Sequence, residues 1–302
     1  MKKPEFHFTV PKQKHIRLII DTDAKNEADD QYAIVHALLT PKFDIKGIIA
    51  AHFGDEKSTT SMLDSYAEIK KLFGLMQLDV TGLIFHGAEN KITDPAYLPE
   101  SEGSQYIIDE ALRNDDLPLY CIFLGPLTDM AIAVLREPRI SERLTVIWIG
   151  GGAWPEGGWE YNLLNDIQAA NIVFRSGVNL WQVPRNVYSR LHVSLAELQV
   201  KVYPEGKIGK YLFEQLIALN DAYAENKSWP QGESWSLGDS AAIGILLNDQ
   251  EFYYNERFAP QVDSEMRYIH SKNSKKIRVY ENIDSRFILE DFYAKLRILN
   301  RS

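Results

Sequence analysis

The sequence predicts an α/β fold. A mostly parallel central sheet would carry helices on both faces, and a more helical C-terminal third would include a small hairpin. Three observations carry this. Short apolar runs recur, such as Leu18-Ile19-Ile20 and Cys121-Ile122-Phe123-Leu124, that are continuous rather than alternating, as in strands buried on both faces. Stretches with a helical apolar period separate them. The two kinds alternate up to about residue 190, which implies parallel βαβ units with right-handed crossovers. With 302 residues and no repeat, low-complexity segment or clean linker, a single domain over 1–302 is expected.

Residues 1–15 read as a polar lead-in. The first strand is 16–20, and its helix places Ala33, Ile34, Ala37 and Leu38 on one face before Thr40-Pro41 ends it. A second strand spans 45–51. The helix over 58–73 has apolar positions Met62, Tyr66, Ile69 and Leu72, with Gly74 as its stop. A turn-rich loop runs through His86 to Pro99, then a helix over 104–113 and a buried strand over 119–124. Pro126 opens the helix that runs through Leu135. The strand 144–149 leads into Gly150-Gly151-Gly152 and a loop, 153–165, rich in Trp, Glu and Asn. A helix over 166–176 ends at Gly177, and 178–183 is a strand. Helices follow at 194–200, 208–224 and 239–247. Residues 266–270 and 276–280 read as a hairpin around Lys272-Asn273-Ser274, and 283–299 as the last helix.

Charge and cysteine content narrow the function. A formal net charge of -9 opposes nucleic-acid binding, which wants a basic surface. No apolar stretch is long enough to span a bilayer. Lys2 and Lys3 precede no apolar segment before Pro11, so no secretion signal is expected. A lone cysteine, Cys121, fits a reducing cytoplasm, and its apolar run makes it core filler rather than nucleophile. Gly150–Gly152 follows a strand, but no Gly-Lys-Ser/Thr comes after it, so it is no phosphate cradle. No serine stands in a nucleophile elbow.

The chemistry concentrates after the first strand. Asp21, Asp23, Asp29 and Asp30 gather at its carboxyl end, where open α/β sheets place ligands. Capping the next helix accounts for one acid, or two. Four acids repel unless a cation sits among them, and a hard divalent ion with oxygen ligands meets that need.

These acids and three later segments together resemble the inosine-uridine-preferring nucleoside hydrolase family. Asp21-Thr22-Asp23 with Asp29-Asp30 is similar to that family's opening Asp-x-Asp and Asp-Asp. Gly125-Pro126-Leu127-Thr128-Asp129 resembles its Gly-Pro-Leu-Thr-Asn. Gly150–Gly152, Glu160-Tyr161-Asn162, Asp166 and Ala169-Ala170 resemble its Gly-Gly run and Glu-x-Asn-x-x-x-Asp, and Gly238-Asp239 its late His-Asp. The resemblance implies hydrolysis of a nucleoside N-glycosidic bond in a homodimer or homotetramer. It implies Ca²⁺ held by Asp23, Asp30, Asp239 and the Leu124 carbonyl, with Asp23 as general base and Asp21 supporting. Asp29 would accept from the ribose 2-hydroxyl, and Glu160 and Asn162 would bind the 5-hydroxyl. Asp55 would also reach the sugar hydroxyls, and Trp154 would either stack on a ring there or simply cover a loop. Trp159, Trp235 and His86 are candidates for the base pocket, with ordinary packing as the alternative for each. The chain also departs from the pattern. Its 24–28 loop is two residues longer, bringing Lys25 or Glu27 toward the pocket. Asp55 stands in place of an asparagine, and Gly238 in place of the histidine that protonates the base in one branch. Another ribosyl or sugar glycoside as substrate, or a silent sugar-binding homologue, are the alternatives.

Overall fold

The computed structural model describes residues 4–227 and 229–302. In chain order the elements are β1 (Ile16–Thr22), α1 (Asp30–Leu38), β2 (Phe43–Ala50), α2 (Ser61–Met76), β3 (Ile84–His86), α3 (Glu102–Leu112), β4 (Leu119–Phe123), α4 (Thr128–Arg136) and β5 (Leu144–Ile149). Then come α5 (Tyr161–Asn165), α6 (Ile167–Ser176), β6 (Asn179–Val183), α7 (Arg185–Tyr188), β7 (His192–Ser194), α8 (Leu195–Lys201) and α9 (Gly206–Ala222). The last are β8 (Ser234–Ser236), α10 (Ser240–Leu247), β9 (Tyr254–Phe258), β10 (Gln261–Val262), β11 (Tyr268–Ile269), β12 (Lys276–Tyr280) and α11 (Ser285–Arg301).

Eight strands form one sheet in the order β3-β2-β1-β4-β5-β6-β12-β9. All neighbours are parallel except β9, which pairs antiparallel with β12 at the edge. Side chains of each strand alternate between two buried layers. Leu18 and Ile20 enter one core with residues of α1, α9, α10 and α11; Ile19 and Cys121 enter the other with residues of α3, α4 and α6. Helices on both faces are what a parallel sheet needs to bury its apolar runs. The chain leaves β1 toward β2 on one side and β4 on the other. That reversal opens a crevice beyond the carboxyl ends of β1 and β4.

Several local readings are corrected. Gly74 lies inside α2, which runs on to Met76 and closes at Gln77 with φ 56°; one glycine costs a helix only about 1 kcal/mol. The expected hairpin is divided. Lys276–Tyr280 joins the main sheet between β6 and β9, whereas Tyr268–Ile269 pairs with Gln261–Val262 in a separate two-stranded piece. Two short elements arise in stretches read as loop, β3 at the sheet edge and α5. Among the described residues no helix is long and apolar enough to cross a membrane.

Candidate active site

The floor of the crevice is a small cavity of ≈ 50 Å³ lined by Asp23, Asp29, Asp30 and Asp239, the Leu124 and Ile149 strand ends, and Glu27, Glu160 and Asn162 among others. β1 delivers Asp23. The turn into α1 delivers Asp29 and Asp30, and the start of α10 delivers Asp239, 210 residues from Asp29. Asp29 and Asp239 both occupy helix N-cap positions, yet neither side chain caps its own helix. Instead Asp29 Oδ2 accepts from the Asp239 backbone N–H at 3.3 Å. Capping therefore does not explain these acids. Carboxylate oxygens of Asp29, Asp30 and Asp239 lie within 4.8 Å of one another. Asp23 stands outside that trio but lines the same cavity, and Gly125 lets it approach: a Cβ there would meet Asp23 Cγ at 2.9 Å.

Among the described residues no lysine or arginine lines this cavity. Burial, reinforced by like charges, raises the Asp23 and Asp239 carboxyls well above the usual range. Burial lifts Asp29 to about 6, and burial with the neighbouring Asp29 lifts Asp30 to about 7. Such groups ionise together only when positive charge is supplied. The donor set is all oxygen, which fits a hard divalent cation such as Ca²⁺. The Leu124 carbonyl faces the same space and accepts from Asn162 Nδ2 at 2.7 Å, keeping a second lone pair.

Asp21, two residues away, belongs elsewhere. Neither of its oxygens finds a hydrogen-bond donor among the described residues. Burial, then the charge of Asp129, raises its carboxyl well above the usual range. Asp21 faces Asp129, whose charge adds to the cost of ionising it. Asp129 accepts from Ala88 N at 3.0 Å and from the Ser101 and Ser104 hydroxyls. Asp21 thus braces β1 against α4.

The Glu160–Asn162 segment is the N-terminus of α5. Glu160 is 1% exposed and accepts four hydrogen bonds: from Gly151 N, Leu163 N and Asn162 N at 2.8, 2.8 and 3.2 Å, and from the Tyr188 hydroxyl at 2.8 Å. Four bonds occupy the lone pairs of a carboxylate. A sugar hydroxyl reaching Glu160 would therefore share with or displace Tyr188. Asn162 spends both amide hydrogens on the Leu124 and Ile149 carbonyls, fixing the ends of β4 and β5 and leaving Oδ1 to the cavity.

Tyr188 also answers the missing histidine. A Cβ at Gly238 would meet Tyr188 Cδ2 at 2.7 Å. The tyrosine ring fills the space where a side chain at 238 would begin. In the longer 24–28 loop, Lys25 turns outward to Glu68 at 3.4 Å. Glu27 turns inward and burial, then Asp29, lifts it to about 8.

Beyond the floor lies a wider cleft of ≈ 650 Å³ that shares Glu27, Asp29, Tyr161 and Tyr188 with it. Trp159 and Trp235 line this cleft, and so do Tyr223 and Trp229. Other expected contacts are not brought together here. Trp154 donates to Gln182 at 2.9 Å and packs on Tyr268 and His270, because its loop is pinned to the β10–β11 piece through Gly157. Asp55 is exposed and lines neither cavity. His86 stacks on Tyr66 in a separate groove. Glu27, Tyr161, Tyr188, Lys57, Arg185, Tyr223 and Trp229 line the cleft without having been assigned a role from sequence. For Tyr188 its place just after the end of β6 was the available signal.

The inosine-uridine preferring nucleoside hydrolase family description matches residues 18–290. A pyrimidine-specific ribonucleoside hydrolase of Salmonella typhimurium is 27% identical over 201 residues, 60% of this chain and 64% of that protein. The match thus spans just under two thirds of that relative. A purine-preferring ribonucleoside hydrolase from Gardnerella vaginalis shares the fold with a TM-score of 0.77 at 20% identity, over 94% of this chain and 99% of that one. A plant nucleoside hydrolase gives 0.72 at 19%, over 93% and 99%. By sequence, fold and the acids gathered at the rim of its sheet, the chain belongs to the inosine-uridine preferring nucleoside hydrolase family.

Proposed function

We propose that the acidic cleft hydrolyses the N-glycosidic bond of a ribonucleoside, releasing ribose and the base, with Ca²⁺ as cofactor. The observation that carries this reading is the convergence of Asp23, Asp29, Asp30 and Asp239 on one cavity without a compensating cation. Asp23, Asp30, Asp239 and the Leu124 carbonyl would hold the ion, with the Asp29 oxygen close enough to join them. When bound, the ion supplies charge that acidifies a neighbouring water. Asp23 takes the proton of the attacking water as general base. Asp29 and Asn162 Oδ1 face the sugar, and the leaving group lies toward Tyr188 and Tyr161 in the outer cleft. As the bond breaks the sugar gains oxocarbenium character, which the surrounding carboxylates favour electrostatically. A reducing cytoplasm suits the buried thiol of Cys121.

A second reading, a different ribosyl or sugar glycoside, is favoured by one specific feature. Trp154 and Asp55 lie outside the cleft while Glu27 and Tyr188 lie inside it. The test is ribose release from a panel of purine and pyrimidine nucleosides with Ca²⁺ or with chelator. Release that chelator abolishes is expected. No release from any nucleoside, with a melting curve indifferent to Ca²⁺, would overturn the proposal.

A further inference from the structure

The outer cleft has a charge polarity that the hydrolase reading does not require. Its acids, Glu27 and Asp29, line both cavities and so stand at the junction with the floor. Its cations, Lys57 and Arg185, line only the outer part. Each cation rests on a ring face. Lys57 Nζ lies 4.8 Å from the centroid of Tyr161, 5.6 Å from that of Tyr223 and 5.7 Å from that of Trp229. The Arg185 guanidinium lies 4.9 Å from that of Trp159. Their hydrogen bonds go to neutral acceptors: Lys57 to Asn26 O and Oδ1, Arg185 to the Trp159 carbonyl. Among the described residues neither is hydrogen-bonded to a carboxylate. Glu27, at the junction, lies near enough to Lys57 to feel its charge, yet among the described residues neither cation is held in an ion pair by a carboxylate. Trp159 is also 51% exposed, and apart from Tyr161 its packing partner is Arg185. A large aromatic left open beside an unneutralised guanidinium is a surface shaped for a planar anion.

We propose that the departing group is an acidic heterocycle, its ring stacked among Trp159, Tyr161 and Trp229 and its carboxylate directed to Lys57 or Arg185. The sugar then lies toward the acidic floor and the negative group toward the mouth, so charge alone fixes the orientation of the substrate. Which end faces the floor rests on the hydrolase reading; the acid preference of the cleft does not.

Matched pairs that differ by one carboxylate test this. Free nicotinate against nicotinamide, and orotate against uracil, are titrated by tryptophan fluorescence and calorimetry into the Ca²⁺-loaded protein. Binding is repeated with Lys57→Met, Arg185→Met and the double variant. The acidic member is expected to bind roughly tenfold or more tightly, the scale of a hydrogen bond to a charged group. That preference should collapse in the double variant and shrink in wild type as ionic strength rises. The salt titration needs no variant, so a misfolded mutant would not spare the proposal. Equal or tighter binding of the neutral members, no binding of any of the four, or a preference that survives both the double variant and high salt would overturn it. Hydrolysis of the matching ribosides separates the two readings. Acid-selective binding with no riboside cleaved would remove the hydrolase reading and leave the cleft assignment standing. Cleavage without acid preference would do the reverse.

Discussion

Two sets of carboxylates meet at the end of β1, and they have opposite characters. Asp21 and Asp129 are sealed in the core side by side, and Asp129 draws donors from Ala88, Ser101 and Ser104. Asp23, Asp29, Asp30 and Asp239 open on a cavity, and two of them decline the capping role their positions offer. Residue type and spacing along the strand are the same for Asp21 and Asp23. What separates structure from function is whether the carboxylates open on a cavity, as the floor acids do, or are closed off from it in the core.

The sharpest way to break this contrast is a pair of matched substitutions. Asp23→Asn should lower kcat by ~10²- to 10⁴-fold with little change in melting temperature, as expected for loss of a general base. Asp21→Asn can donate its amide to Asp129, so kcat/KM should stay within a few-fold. Equal losses from both would erase the distinction. The next effect is on stability alone. Asp129→Ala orphans two donors, the Ala88 amide and the Ser101 hydroxyl, at ~1–3 kcal/mol each, so denaturant unfolding should show at least ~2 kcal/mol of destabilisation.

Titration comes third. The folded values of Asp29, Asp30 and Glu27, about 6, 7 and 8, are raised above the ordinary carboxylate range. The metal-free fold therefore binds more protons than the unfolded chain between roughly pH 4 and pH 8. Their contribution is fully present below pH 4 and is lost as pH rises through 6 to 8. Ca²⁺ competes with those protons, so its stabilisation should be small at pH 5 and larger at pH 8. At a hundredfold excess over Kd it reaches about 2.7 kcal/mol. Thermal melts with Ca²⁺ and with chelator at both pH values check this; an equal shift at each would contradict it. The smallest effect is Tyr188→Phe. It removes one of the four bonds to Glu160 and should cost about 1 kcal/mol, with KM changing more than kcat.

Much of the fold was legible because burial on both faces leaves a plain mark. β1, β4, β5 and β6 are continuous apolar runs, and α1 shows its inward face in sequence. The C-terminal pairing was not legible. β12 chooses β6 and β9 over its near neighbour, and partner choice between distant strands has no local signature. In the site, Asp23, Asp29, Asp30, Leu124, Glu160, Asn162 and Asp239 line one cavity, since each sits at the end of a regular element. Trp154 and Asp55 sit in loops whose direction depends on contacts far away in sequence. Glu27 and Tyr188 entered the cleft by the same kind of long-range packing.

The bond from the Asp239 backbone to Asp29 also sets a timetable. Three of the four floor carboxylates are made within eight residues of one another, but the fourth follows 209 residues after Asp30. A nascent chain or fragment ending before residue 239 carries crowded acids and no pocket. It gains nothing from a cation until Asp239 arrives to close around them.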